Sequence, residues 1–190
     1  MGRLIYSMSV SLDGCVETPD RSLDWVLVDE EPHAFFNDEA REMSAFLSGR
    51  RMYRLMVDHW PTAQTDPSAT PAMREFARIW QDTPKVVFSR TLDRVAWNSR
   101  LAREDAVEEV ARLKAQPGVD MSVGGPTLAS ALMRAGLIDE VRLCVHPVIL
   151  GTGTPFLPAL DDRMELRLLE TRTFGSGVIC LRHETVSPAG

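Results

Sequence analysis

The spacing of hydrophobic and polar positions along this chain changes repeatedly, and the changes divide it into strand-like and helix-like runs. Residues 4–10 form a short apolar run that reads as a first strand, with Ser11-Leu12-Asp13-Gly14 as its exit turn. A loop follows through Thr18-Pro19-Asp20. Over residues 31–47, Phe36, Ala40, Met43 and Leu47 recur at helical spacing, which predicts one long helix with Gly49 as its C-terminal cap. Met73, Phe76, Ala77 and Trp80 predict a second helix behind Pro71, and residues 85–89 a short β-branched strand behind Pro84. Val107, Val110 and Ala111 share one face of a helix over residues 105–116, which Pro117-Gly118 ends before a strand at 119–123. A further helical pattern runs from Pro126 through Ala135.

The last third has a different rhythm. Residues 140–148, 164–173 and 178–186 are three strand candidates, with no helical pattern between them. Gly175-Ser176-Gly177 permits the backbone angles of a hairpin turn, so the final pair reads as an antiparallel hairpin at a sheet edge. The earlier alternation of strand and helix implies parallel strands. The fold class is therefore α/β with a mixed sheet.

Composition narrows the function classes. A chain of 190 residues, 44% hydrophobic and 25% charged, is long enough for one sizeable core, and a single domain over 1–190 is expected. The net charge of -6 and pI near 5.2 speak against a nucleic-acid partner, which needs a basic surface. No apolar run approaches the roughly 18 residues of a membrane span. The start of the chain reads as a strand rather than a signal peptide, so no membrane partner and a cytoplasmic location are expected. Cys15, Cys144 and Cys180 are widely spaced and read as reduced, partly buried thiols. The four histidines are scattered and fit no zinc spacing, so no metal is expected.

The candidate chemistry lies at strand and helix ends. Gly124-Gly125-Pro126-Thr127 joins a strand to a helix; it is either a tight turn or a seat for phosphate, where free N–H groups and the helix dipole favour an anion. Gly151-Thr-Gly-Thr-Pro155 lacks the third glycine of a dinucleotide fingerprint, and neither a P-loop nor a Gly-x-Ser-x-Gly elbow occurs. In open α/β sheets ligands bind outside the carboxyl ends of strands, which would bring Ser89, Arg90 and Gly124-Gly125 to one crevice. An arginine fork suits a phosphate monoester, whereas Gly125 and Thr127 suit a pyrophosphate. Together they describe a dinucleotide with an extra phosphate.

Seven blocks in register then carry a resemblance: Ser9-Val-Ser-Leu-Asp-Gly14, Ser22-Leu-Asp-Trp25, Gly49-Arg50-Arg51-Met-Tyr53, Val87-Phe-Ser89-Arg90-Thr91-Leu92, Val123-Gly124-Gly125-Pro126, Leu137-Ile-Asp-Glu-Val141 and Gly151-Thr-Gly-Thr-Pro-Phe156. They resemble the reductase domain of the bifunctional riboflavin-biosynthesis deaminase-reductase. The resemblance implies a dihydrofolate reductase-like three-layer fold, with helices on both faces of a mostly parallel sheet and an antiparallel C-terminal hairpin. It implies NADPH as cofactor and a homodimer. Carried over by position, Gly49, Arg50 and Arg51 would lie by the cofactor's phosphates and Ser89 and Arg90 by the adenosine ribose phosphate. Gly124, Gly125, Pro126, Thr127 and Leu128 would line the pyrophosphate.

Two departures bear on the substrate. No block resembles the family's deaminase half, and Val57-Asp-His-Trp-Pro61 stands where the riboflavin reductases carry their substrate loop. The expected activity is hydride transfer from NADPH to a small heterocyclic or ribosylamino-pyrimidine-like molecule. Asp13, Asp24 and Trp25 are the candidates for its substrate side, the aspartates as acceptors and Trp25 as a flat wall. Glu30, five residues past Trp25, reads either as a general acid toward a pterin, as in a dihydrofolate reductase, or as an acid in the first turn of a helix. A sensor that binds NADP(H) without turnover would use the same crevice.

Overall fold

The computed structural model describes residues 1–27 and 29–186; Val28 and the last four residues of the expected 1–190 domain lie outside the described residues. Its strands are β1 (Leu4–Ser11), β2 (Cys15–Glu17), β3 (Ala45–Gly49), β4 (Lys85–Phe88), β5 (Ser99–Ala102), β6 (Met121–Gly124), β7 (Glu140–His146), β8 (Thr154–Pro155), β9 (Leu166–Thr173) and β10 (Ile179–Thr185). Its helices are α1 (Glu30–Arg41), α2 (Arg50–Ala63), α3 (Pro71–Asp82), α4 (Ala106–Lys114) and α5 (Pro126–Arg134). Eight strands form one sheet in the order β5-β4-β3-β6-β1-β7-β10-β9, and β2 pairs with β8 beside it. The six from β5 to β7 in that order are parallel, and β10 runs antiparallel to both neighbours. This is the mixed, mostly parallel sheet with a C-terminal hairpin that the sequence implies.

Strand side chains alternate between faces, so each strand reads differently on its two sides. Leu4, Tyr6, Val10, Leu47, Met121, Val123 and Val141 pack with Val110 of α4 and Leu128, Ala129 and Leu132 of α5 into the main core. The opposite face carries Ser7, Ser9, Ser48 and Ser122 beneath α1, α2 and α3. Large apolar residues fill one side, and small hydroxyls leave room on the other.

Two expectations are corrected. The helix expected over residues 31–47 ends at Arg41, and Ala45–Gly49 is strand β3, bonded in parallel to both β4 and β6. A short apolar run carries no decisive period, and the ladder bonds available between β4 and β6 outweigh a helical spacing that continues by chance. Gly49 accordingly opens α2 rather than closing α1. Cys144 and Cys180, expected to be reduced, stand directly opposite each other on β7 and β10 and are bonded as a disulfide. Their separation of 36 residues held no hint of that register. Cys15 is free and buried.

Among the described residues no helix is long and apolar enough to cross a membrane. Leu132 is fully buried against the sheet. Leu132→Ala is therefore expected to cost about 3 kcal/mol through lost contacts and a cavity, lowering the thermal midpoint by roughly 6–12 °C in a chain of this size. Calorimetry checks this; a shift under about 2 °C would place Leu132 outside the core.

Candidate functional site

Each helix start must find partners for N–H groups that the helix itself leaves free. Asp29 caps α1, Thr70 caps α3 and Asp105 caps α4, each through its side chain. The N-caps of α2 and α5 are Gly49 and Gly125, which have no side chain to offer. These two helices follow β3 and β6, parallel neighbours whose register sets Ser48 opposite Gly124. Two uncapped N-termini therefore open side by side at the carboxyl edge of the sheet, where main-chain donors and both helix dipoles favour an anion. Gly125 has φ +94°, a conformation L side chains rarely adopt, and Pro126 follows as the first helical residue. A Cβ on Gly124 would come within 3.2 Å of the Met52 side chain, a tight contact that the methionine would have to yield to, so the two helix starts lie close together here.

The next strand brings the arginines. Gly49 pairs with Phe88 at the end of β4, which places Ser89-Arg90-Thr91 beside the start of α2. Arg50 Nη1 donates to Thr91 Oγ1 at 2.7 Å, tying the two segments together. Ser89 Oγ accepts from the N–H groups of Thr91 (3.2 Å) and Leu92 (3.1 Å) and so shapes the turn that presents Arg90. Arg51 is engaged differently. Its guanidinium binds the buried carboxylate of Glu17 on β2, which also accepts from Thr154 Oγ1 at 2.7 Å. What Arg51 leaves for a phosphate is its backbone N–H in the first turn of α2. Burial would raise the Glu17 carboxyl, but the hydrogen bonds from Arg51 and Thr154 outweigh it and hold the group below its ordinary range.

A cavity of about 360 Å³ lies between the serine-bearing face of the sheet and helices α1, α2 and α3. Ser48, Met52 and Gly124 contribute to its wall, so it abuts the two uncapped helix starts. Phe36, Trp60 and Phe76 supply flat apolar surface, with Trp60 and Phe76 ring centroids 4.4 Å apart. The segment 57–61 is helical, and its Trp60 faces this space. His33, Glu39, Lys85 and Arg142 line the cavity as well. Burial lowers His33 below the ordinary histidine range. Burial also lowers Lys85 to about 8; its Nζ donates to the carbonyl oxygens of Trp80 and Thr83. Glu39 on α1 accepts from Arg142 Nη1 of β7 at 2.9 Å, and burial pushes its carboxyl above the ordinary range despite that pairing.

Asp13, Asp24 and Trp25, expected on the substrate side, and Glu30, the candidate acid, do not line this cavity. Asp13 is exposed and accepts from Ser11 Oγ (2.6 Å), Leu150 N–H (3.1 Å) and Gly151 N–H (2.7 Å), pinning the end of β1 to the loop after β7. Those bonds, led by the one from Ser11, hold its carboxyl below the ordinary range. Asp24 is exposed, and the half-buried Trp25 meets the ring of His146 edge-on with centroids 5.5 Å apart. Burial lowers His146, whose Nδ1 accepts from Leu27 N–H at 3.2 Å. Glu30 is exposed in the first turn of α1, beside its cap Asp29. The carboxylate of α1 that lines the cavity is Glu39, and the sequence held a signal for it: a charge between Phe36 and Ala40 on the apolar side of the helix. Arg142 carried a similar signal, an arginine in step with buried Glu140 and Cys144 on one face of β7.

An eight-stranded mixed sheet sandwiched between helices, with its crevice at the parallel strands' carboxyl ends, is a dihydrofolate reductase-like fold. A family model described as the RibD C-terminal domain matches residues 3–180. YyaP of Bacillus subtilis (strain 168), an uncharacterized protein, is 34% identical over 178 residues, spanning 93% of this chain and 92% of its own length. The chain belongs to the RibD C-terminal domain family. Among solved structures, a riboflavin biosynthesis protein described as putative, from Shewanella sp. PV-4, has a TM-score of 0.77 at 18% identity, covering 97% of this chain and 99% of the other. The deaminase/5-amino-6-(5-phosphoribosylamino)uracil reductase of Thermotoga maritima has a TM-score of 0.66 at 13% identity, over 97% of this chain and 57% of that one. A dihydrofolate reductase from Enterococcus faecalis, complexed with NADP(H), has a TM-score of 0.65 at 17% identity, over 98% of both chains. At these identities the likeness establishes the fold.

The Arg51–Glu17 pair gives a pH signature. A carboxylate whose pKa is lower folded than unfolded stabilises above the ordinary carboxylate range, and the contribution is lost as pH falls through it. Arg51→Met leaves Glu17 buried without its cation and is expected to cost about 1–3 kcal/mol near pH 7. The gap from wild type should narrow toward acid pH as Glu17 protonates. Thermal unfolding at several pH values checks this; a gap that does not change with pH contradicts the pairing.

Proposed function

We propose that the protein is an NADPH-dependent reductase that transfers hydride to an electron-poor C=N or C=C bond of a small, flat, pyrimidine-type heterocycle. The observation that carries the reading is the meeting of the cavity with two uncapped helix N-termini at Ser48, Met52 and Gly124. Membership of the RibD C-terminal domain family supports it, as does the shared fold with reductases.

When bound, NADPH supplies the hydride. The chain's part is to hold and orient. Main-chain N–H groups of residues 50–52 and 127–128 would bind the pyrophosphate, with Gly49, Gly124, Gly125 and Pro126 giving it room. Arg50, Ser89 and Arg90 lie where the adenosine ribose phosphate would fall. The aromatic walls at Phe36, Trp60 and Phe76 would clamp a ring and exclude water, and Ser7, Ser9 and Ser48 offer hydroxyls to its edge. A substrate imine protonated from water requires no acid from the protein. Of Asp13, Asp24, Trp25 and Glu30, none of which lines the cavity, Asp13 would contribute by fixing the loop after β7. A homodimer has a suitable edge in β9, which is exposed along its whole length and bears Leu166, Leu168 and Leu169.

Arg90→Ala is expected to weaken NADPH at least tenfold and NADH less than twofold, read by cofactor fluorescence at fixed ionic strength; tenfold corresponds to about 1.4 kcal/mol. Equal losses for the two cofactors would remove the assignment of Arg90 to the extra phosphate. Absence of NADPH binding to the wild-type protein would remove the reductase reading itself.

A further inference from the structure

The carboxyl ends of β3, β4 and β5 lie in register: Gly49 pairs with Phe88, and Phe88 with Ala102. Just past that line each strand delivers an arginine, Arg50 after Gly49, Arg90 after Ser89 and Arg103 after Ala102. Neighbouring strands are about 4.8 Å apart, so the three side chains are rooted within roughly 10 Å of one another. All three residues are exposed, and none forms an ion pair among the described residues. Their neighbours Arg51 and Arg100 are paired, with Glu17 and Glu109. The nearby carboxylates are otherwise engaged or turned to solvent: Glu104 accepts from the Arg103 backbone N–H at 2.9 Å, Asp105 caps α4, and Asp93 is exposed. In a chain of net charge -6, three adjacent cations without a carboxylate concentrate positive potential where an anion from outside would be met.

Arg103 differs from the other two in what it holds. Its Nη1 donates to the carbonyl oxygen of Arg90 at 3.2 Å and its Nη2 to that of Leu92 at 2.8 Å. A planar fork can span two such acceptors in fixed geometry, which a point-like ammonium cannot. Ser89 Oγ takes the N–H groups of Thr91 and Leu92, and Thr91 Oγ1 accepts from Arg50. The turn 89–92 is therefore clamped from both sides, by Arg50 next to β3 and by Arg103 next to β5. The Arg90 guanidinium makes no hydrogen bond among the described residues and is free for a ligand. Two carbonyl oxygens in a turn that receives a phosphate would repel it; bound to Arg103, they face a cation instead.

We infer that Arg103 is a positioning residue for the extra phosphate of the dinucleotide: its fork holds the Arg90 and Leu92 carbonyls, fixes the turn that presents Arg90, and so sets the preference for the phosphorylated cofactor. This rests on the assignment of Arg90 to that phosphate. Arg103 acts through Arg90 and the turn, not as a further ligand of the anion.

The test is a double-mutant cycle on binding alone, with dissociation constants for NADPH and NADH read by cofactor fluorescence at fixed ionic strength. Arg103→Met is expected to weaken NADPH at least fivefold and NADH less than twofold, the NADH value also showing that the variant is folded. Arg103→Lys keeps the charge but cannot bridge both carbonyls, so NADPH stays at least threefold weaker than in wild type. In an Arg90→Ala background, Arg103→Met should change NADPH affinity less than twofold, because the group it positions is gone. Unchanged NADPH binding in Arg103→Met, an equal loss for NADH, full recovery in Arg103→Lys, or an undiminished cost in the Arg90→Ala background each overturns the inference. The two readings separate in the single variants. A silent Arg90→Ala removes the phosphate assignment and this inference with it, whereas an effective Arg90→Ala beside a silent Arg103→Met removes this inference alone.

Discussion

The parallel register between β3 and β6 governs the site. By setting Ser48 opposite Gly124, it makes α2 and α5 begin at the same level, one strand spacing apart. Both helices start at glycine with no side-chain cap, so their free N–H groups face a shared space instead of being satisfied locally. Two helix starts carry glycine while the other three are capped by side chains, a difference of only a few tenths of a kcal/mol at each start. That pattern fits a fold whose missing hydrogen bonds are completed by a bound anion.

The cavity follows from the same sheet. Its core face is filled by leucine, valine, methionine and tyrosine, and its other face thins to serine at four positions under α1, α2 and α3. Removing bulk there without adding polar demand leaves a pocket with apolar walls and few directional groups, the usual composition of a small-molecule site. Its deep end is held by charge. Glu140 is almost fully buried and accepts from Arg142, Arg182 and Arg3, and although burial works to raise its carboxyl, Arg142 and Arg182 hold it below the ordinary range. The cluster ties β7 to β10, to the start of β1 and, through Glu39, to α1.

Sequence periodicity revealed most of the frame. The helices behind Pro71 and Asp105, the strand at 85–88, the Gly-Gly junction and the C-terminal hairpin were legible because each is bounded by a proline, a glycine or an acidic cap. The helix α2 was not, since Gly49 read as the cap of the preceding helix and residues 57–61 as standing in place of a substrate loop, yet the helix runs from Arg50 to Ala63. Strand β3 was absorbed into a helix because Met43 and Leu47 extended its spacing. The short strands β2, β5 and β8 exist through their partners rather than through any local preference. The disulfide and the Glu39–Arg142 pair are facts of register and packing, joining residues 36 and 103 apart.

The central claim is that main-chain amides at two helix starts hold the cofactor's pyrophosphate. The direct measurement is the amide spectrum of ¹⁵N-labelled protein titrated with NADPH. The amides of Arg51, Met52, Thr127 and Leu128 are expected to shift together and saturate at one concentration, while the first turns of α3 and α4 stay in place. Saturable binding that leaves the starts of α2 and α5 unmoved would contradict the account.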